Sequence, residues 1–331
     1  EVFNRETNYT YNGGVGVKMA SFANPNLKQQ NTYQHNAGMN LGFFNNRLTF
    51  VVNYYTKLTD NTLTTIKLPV SHGFETVNGN VGEIRNTGYD VSVSVALLNT
   101  KKWKWNANGN FSNNKSKLVK LSEGFKETLK YYDKSMGSAG TILKYREGHS
   151  MSAVYGLRTI GVDPLSGQRV FLTKDGQMTQ YQSGEDLVYL GDSQPKINGT
   201  FNTTVSYGGL SVSVGFNLVW GGVAENYTEL NKRENLSLTY NVDRQVVKDG
   251  WQKIGDNALY KKQGTTVTNT YPCDMFVHKN NIFSCNSINI RYSFPKELTK
   301  KLGMEMLSVS TLLSDIFYFS TIHRERGTSY P

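Results

Sequence analysis

Apolar and polar residues alternate with period two along several stretches of the chain. In residues 210–220, Leu210, Val212, Val214, Phe216, Leu218 and Trp220 fall on one face of an extended strand. Ser211, Ser213, Gly215, Asn217 and Val219 fall on the other, because successive strand side chains point to opposite sides. Upstream, Thr203, Val205 and Tyr207 alternate with Asn202, Thr204 and Ser206, and Tyr207-Gly208-Gly209 makes a tight corner. The same pattern predicts strands over 36–43 and 48–55, turned at Asn45-Asn46, where asparagine tolerates the positive φ of a two-residue hairpin. It predicts a second hairpin over 89–97 and 103–111, turned at 99–102. A strand runs through Ile288, Ile290, Tyr292 and Phe294, and a last one begins at Leu307, Val309 and Thr311. Residues 1–30 read mostly as loop, with a short strand near 15–20.

The connections alternate in length. Short ones lie at Asn45-Asn46, 99–102, 207–210 and 295–303; long ones cover 60–86, 118–194 and 221–276. In an up-and-down meander, alternate connections lie at opposite ends, so all short turns share one end and all long loops the other. That is the asymmetry of outer-membrane barrels, and a Greek-key sandwich has no reason to keep it. The parity requires zero or two crossings within 118–194, and zero is preferred. That stretch reads as irregular, with an amphipathic turn at Leu121, Phe125 and Leu129 and a small hairpin at Thr173-Lys174-Asp175-Gly176. The wet faces are Asn, Ser, Thr and Gly with few charges, as suits a lumen. Phe43, Trp103, Tyr207, Trp220 and Phe294 stand at or near strand ends, where an interfacial girdle sits. The expected fold is all-β: a transmembrane antiparallel up-and-down β-barrel, present as an open sheet of about eight long strands with long outer loops. A β-sandwich adhesin or carbohydrate-binding module is the alternative.

Composition agrees. No run of about 18 apolar residues exists, which excludes a transmembrane helix but not barrel strands, which need about 9–11 alternating residues. The net charge of +10 is spread thinly; the nearest cluster is Lys296, Lys300 and Lys301, read as a solvated turn, and no nucleic-acid partner is expected. The chain opens on Glu1 without a basic-plus-apolar leader, so any signal peptide is expected to lie outside it. Cys273 and Cys285 do not form a CxxC site, and whether they pair is open.

Catalytic signatures are lacking. The five histidines, His35, His72, His149, His278 and His323, form no HExxH pattern. Gly14-x-Gly16 has no third glycine, and no GxSxG or GxxxxGK[ST] run occurs. Asp163, Asp175 and Asp192 do not follow a calcium-loop spacing and read as turn residues. The expectation is no enzyme, no cofactor and no metal. For ligand contact, aromatic faces offer platforms for sugars and amides offer polar handles. The outer-loop candidates are Tyr131, Tyr132, Tyr155, Tyr227 and Tyr240, with packing of loops or contact with a partner as the competing role.

Several stretches, in order, resemble the SusC/RagA family of TonB-dependent outer-membrane transporters. They include Asn24-Pro25-Asn26-Leu27-Lys28, Phe43-Phe44-Asn45-Asn46-Arg47-Leu48, Tyr54-Tyr55 with Lys57, and Val81-Gly82-Glu83-Ile84 with Asn86, Gly88 and Tyr89. They continue with Tyr155-Gly156, Gly161-Val162-Asp163-Pro164, Gly191-Asp192 with Pro195, Tyr292-Ser293-Phe294-Pro295 and Arg326-Gly327-Thr328-Ser329-Tyr330-Pro331. The resemblance implies that residues 1–331 are the C-terminal part of a 22-stranded β-barrel in the cell outer membrane of a Gram-negative bacterium. It implies import of glycan oligosaccharides, or peptides, with a SusD-like surface lipoprotein and the TonB complex as partners. The family's plug, its early strands and its final strand are expected to lie outside the chain, and Gln29-Gln30-Asn31 replaces the aromatic or acidic residues that often follow the Asn24 run. An inactive remnant of a transporter is a further alternative.

Overall fold

The structure, a computed structural model, describes residues 2–11, 14–21, 24–67, 76–126, 129, 142–239, 241–264 and 268–322. The first two strands, β1 (Val2–Tyr11) and β2 (Gly14–Ser21), pair as a separate hairpin, so the region read as mostly loop holds two strands. Next come β3 (Asn31–Phe43), β4 (Leu48–Lys67), β5 (Thr76–Asn99) and β6 (Trp103–Leu121). Six short strands follow: β7 (Ile142–Leu143), β8 (Ala153–Gly156), β9 (Arg158–Val162), β10 (Arg169–Leu172), β11 (Met178–Thr179) and β12 (Val188–Asp192). Then come β13 (Ile197–Tyr207), β14 (Leu210–Glu225), β15 (Val277–Ser293) and β16 (Ser308–Ser320).

Eight of these strands form one antiparallel sheet in the order β16-β15-β14-β13-β6-β5-β4-β3. Among the described residues β3 pairs only with β4 and β16 only with β15, so the sheet is open. The strands β6 and β13 are direct antiparallel neighbours, so the stretch between them sends no strand through this sheet. Connections at 44–47, 100–102, 208–209 and 294–307 lie at one end; the two long connections, 122–196 and 226–276, lie at the other, together with the β4–β5 connection, which is shorter than 294–307 and so departs from the expected length alternation.

Three local expectations are corrected and one open point, the pairing of the cysteines, is answered. The stretch 60–86 is not a polar loop: β4 continues to Lys67, paired with β5 from Thr76. The Asn45-Asn46 turn is a four-residue loop in which Phe44 joins both asparagines at positive φ (54°, 55° and 61°). Phe294 lies beyond the end of β15, and a short helix, Lys296–Lys301, occupies what reads as a plain polar stretch. Cys273 and Cys285 are buried free thiols.

The registers turn sequence alternation into two continuous walls. Across all eight strands, Leu41, Phe50, Val93, Gly109, Phe201, Phe216, Cys285 and Phe317 lie side by side in one row. Phe216 stacks on Phe283 at 5.6 Å and 7°, and Phe201 on Phe216 at 6.1 Å, so this wall packs laterally although one side of it is bare. A belt from Leu210 to Trp220 is about 33 Å along the strand at about 3.3 Å per residue. Tilted by about 45°, that makes an apolar band near 25 Å tall, the height of a membrane barrel's lipid face.

Candidate functional site: the polar wall and the outer cap

One residue out of step, the other wall is uncharged over most of its area. Asn40, Val51, Ser92, Asn110, Thr200, Asn217, Ser284 and Tyr318 form a matching row. Its hydroxyls and amides bond across strands: Thr204 with Ser213 at 2.9 Å, Ser206 to Ser211 at 3.0 Å, and the Asn110 amide to Thr200 at 3.4 Å. Between β5, β6, β13 and β14 the wall sinks into a shallow concavity of about 350 Å³ lined by Asp90, Ser92, Asn110, Ser112, Asn198, Thr200 and Asn217. Apart from the Asp90 carboxylate these donors and acceptors are neutral, and at this density they suit hydroxylated or amide-bearing solutes.

At the long-loop end the strands rise beyond the apolar belt and carry a folded cap. Its lower part packs Val81, Ile84, Leu118 and Leu121 against Phe125, where a helical turn begins at Glu123, with Leu129 alongside. The expected amphipathic turn is therefore real and docks on the strand extensions. The upper part joins two connections into one core: Tyr155, Leu157 and Phe171 from the first, and Leu230, Tyr260, Cys273 and Phe276 from the second. Backbone bonds stitch the pair, from the Leu157 amide to the Pro272 carbonyl at 3.1 Å and from the Asp274 amide to the Leu157 carbonyl at 2.9 Å.

An ionic cluster crosses the same seam. Arg169 on β10 donates to both oxygens of Glu234, at 2.6 and 2.9 Å, and to the Leu259 carbonyl at 2.7 Å; the two side chains are 2% and 0% exposed. Glu234 also accepts from the Thr270 hydroxyl at 2.7 Å and the Lys261 amide at 3.3 Å. The Lys261 ammonium donates to Asn235, to the Thr268 carbonyl and to Thr270, at 2.8, 2.6 and 2.9 Å. Burial pulls Lys261 down to about 8, against the pull of the Glu234 carboxylate. Burial also pushes the Tyr260 phenol and the Cys273 thiol up to about 12. Every partner is saturated, so the cluster holds loops together rather than presenting a reactive group.

The tyrosines fare differently. Tyr131, Tyr132 and Tyr240 lie outside the described residues. Tyr155 is only 6% exposed and packs in the cap core with its ring 5.9 Å from that of Tyr189 and 6.1 Å from His149. Tyr227 opens a helical turn capped by Asn226, half-buried at the base of the cap. Sequence reasoning passed over Tyr181 and Tyr189, which are 77% and 47% exposed on the cap; the alternation of Tyr189 with Val188 and Leu190 on β12 was the available signal for one of them. Asp163 accepts from the Leu165 and Ser166 amides and serves its own turn, while Asp192 accepts from the Gln194 amide and ties its turn to the Ser152 hydroxyl.

A model of the TonB dependent receptor-like β-barrel matches residues 2–243. TonB-dependent receptor P3 of Formosa agariphila is 27% identical over 309 residues, 88% of this chain and 30% of that protein. TonB-dependent receptor SusC of Bacteroides thetaiotaomicron is 24% identical over 288 residues, 82% of this chain and 27% of that protein. Among solved structures, the RagAB peptide transporter superposes with a TM-score of 0.80 at 23% identity, over 97% of this chain and 35% of that one. The chain thus spans about a third of the length of the curated relatives it matches.

Proposed function

Because this chain belongs to the TonB-dependent receptor β-barrel family, we propose that it supplies wall and outer loops to a TonB-energised importer of oligosaccharides. The family places it in the outer membrane. The observation that carries the reading is the pairing of walls in one sheet: a continuous apolar face for lipid and a neutral Asn/Ser/Thr face for polar solute. Residues 1–331 are read as the C-terminal portion of a longer barrel, in keeping with the length of the relatives. The short turns face the periplasm, and the cap faces outward. A SusD-like lipoprotein seated on the cap delivers the ligand, and Tyr227, Tyr181 and Tyr189 offer aromatic surface for it there.

Peptides are the second reading, favoured because the RagAB peptide transporter shares this fold and because amide side chains also bond peptide backbone. Uptake of fluorescent oligosaccharides and oligopeptides by cells with and without the gene tests the proposal. Loss of oligosaccharide uptake on deletion, restored by the gene but not when TonB is inactivated, is expected. Loss of peptide uptake alone would select the second reading, and unchanged uptake of both would refute the importer.

A further inference from the structure

The net charge of +10 finds no role in the walls, but the short connections gather part of it. They hold Arg47, Lys101, Lys102, Lys296, Lys300 and Lys301 against only Glu297 and Glu305. The richest is 294–307. It hangs below the last ring of the apolar wall, where Tyr207, Leu210, Tyr292 and Val309 pair in register and the Trp103 ring lies 4.5 Å from that of Tyr207. The segment is pinned to that ring by the Phe294 amide on the Leu307 carbonyl at 3.0 Å and by Phe294 edge-on to Tyr292 at 5.0 Å.

Its side chains divide. Thr299 is buried, its hydroxyl on the Lys296 carbonyl of the same helix. Leu298 and Leu302, one turn apart, are 43% and 55% exposed, and Met304 and Met306 are 47% and 79% exposed. Lys296 and Lys300, also one turn apart, leave from another side of the helix, and Lys301 ends it nearer the Leu298 side; all three are exposed. Bare apolar side chains among lysines, continuous with a lipid-facing wall, have the composition of an interfacial anchor: apolar groups enter the acyl region while the ammonium heads reach headgroup phosphates.

We infer that residues 294–307 dock on the periplasmic leaflet and bind anionic phospholipid headgroups through Lys296, Lys300 and Lys301. The inference rests on the orientation proposed above, with short turns toward the periplasm. The test uses the full-length transporter in nanodiscs of phosphatidylethanolamine with and without phosphatidylglycerol. A fluorophore goes on a single introduced thiol, Leu302→Cys or, if that variant assembles poorly, Met306→Cys; Cys273 and Cys285 are buried and stay silent. Quenching by lipids spin-labelled just below the headgroup is expected, stronger for labelled phosphatidylglycerol than for labelled phosphatidylcholine. That preference should fall about fivefold for each of Lys296→Gln, Lys300→Gln and Lys301→Gln. No quenching by either lipid would mean that protein, such as a plug or a periplasmic partner, covers the segment, and equal quenching would remove the headgroup preference; either overturns the inference. In intact cells a thiol on a neighbouring exposed short turn, Lys101→Cys, should resist an impermeant maleimide until the outer membrane is breached. Reaction before breaching would overturn the orientation independently of any uptake result.

Discussion

Glu234 receives Arg169 on both oxygens, Thr270 on one and a backbone amide besides, all out of contact with water. Removing one partner of such a pair strands the other, at a cost of about 3–5 kcal/mol. Glu234→Gln should therefore loosen the cap and leave the barrel intact: hydrogen-exchange protection of 153–157 and 271–276 should collapse, while that of β13 and β14 stays. The same cluster gives the cap a pH response. Lys261 is held down to about 8 from 10.5, so between those values the unfolded cap binds more protons, and stability rises with pH. Cys273, raised to about 12 from 9.0, and Tyr260, raised to about 12 from 10.0, act in the opposite sense, each losing stability as pH climbs above its unfolded value. Only Lys261 acts between pH 8 and 9, so cap protection, corrected for intrinsic exchange, should rise there by about 1 kcal/mol and then flatten or turn over. None of this was legible in the sequence. Arg169 and Glu234 are 65 positions apart, and no local pattern joins them. Tyr155 is a ligand candidate by residue type alone, and type cannot tell a tyrosine that packs a core from one that faces a ligand.

Strands show where pattern works and where it stops. Within the apolar belt one face meets lipid and the other water, so the code alternates, and 210–220 reads correctly residue by residue. Beyond the belt lipid no longer sets one face, since the extensions meet water and the packed base of the cap; alternation vanishes, and β4 past Asp60 and β5 before Asn86 look like loop although they pair through Lys67 and Thr76. The residues 78–82 did carry a signal of another kind. Gly82 sits at φ 143° in a register shift, and a Cβ there would strike the backbone of Lys120 and Leu121. A Cβ at Gly88 would strike the Asn113 carbonyl and the Tyr55 ring, which lies over it. Gly88→Ala should cost about 1–3 kcal/mol through overpacking, seen as less heat-modifiable, folded protein in outer-membrane fractions. The walls should also differ in tolerance. Phe216→Arg, in the middle of the lipid face, should cost about 2–4 kcal/mol, whereas Asn217→Arg on the neighbouring polar face should assemble normally. Folded fraction in urea-titrated vesicles measures both.

As a whole, the described residues build an eight-stranded sheet with two open edges and two different surfaces, the form of a partial barrel. Strand order and the two longest connections were readable because membrane geometry forces them onto the sequence, whereas the β4–β5 connection, taken for a long loop, is shorter than 294–307. The cap was not, because its core is assembled from two distant connections. The most direct test is a thiol scan along β14 in the full-length protein, in a membrane, with single cysteines introduced at each position from 211 to 218. The account predicts a strict alternation: positions 212, 214, 216 and 218 shielded from a water-soluble maleimide and quenched by lipid, and positions 211, 213, 215 and 217 reactive and unquenched. Uniform reactivity along the strand, or the opposite phase, would contradict it.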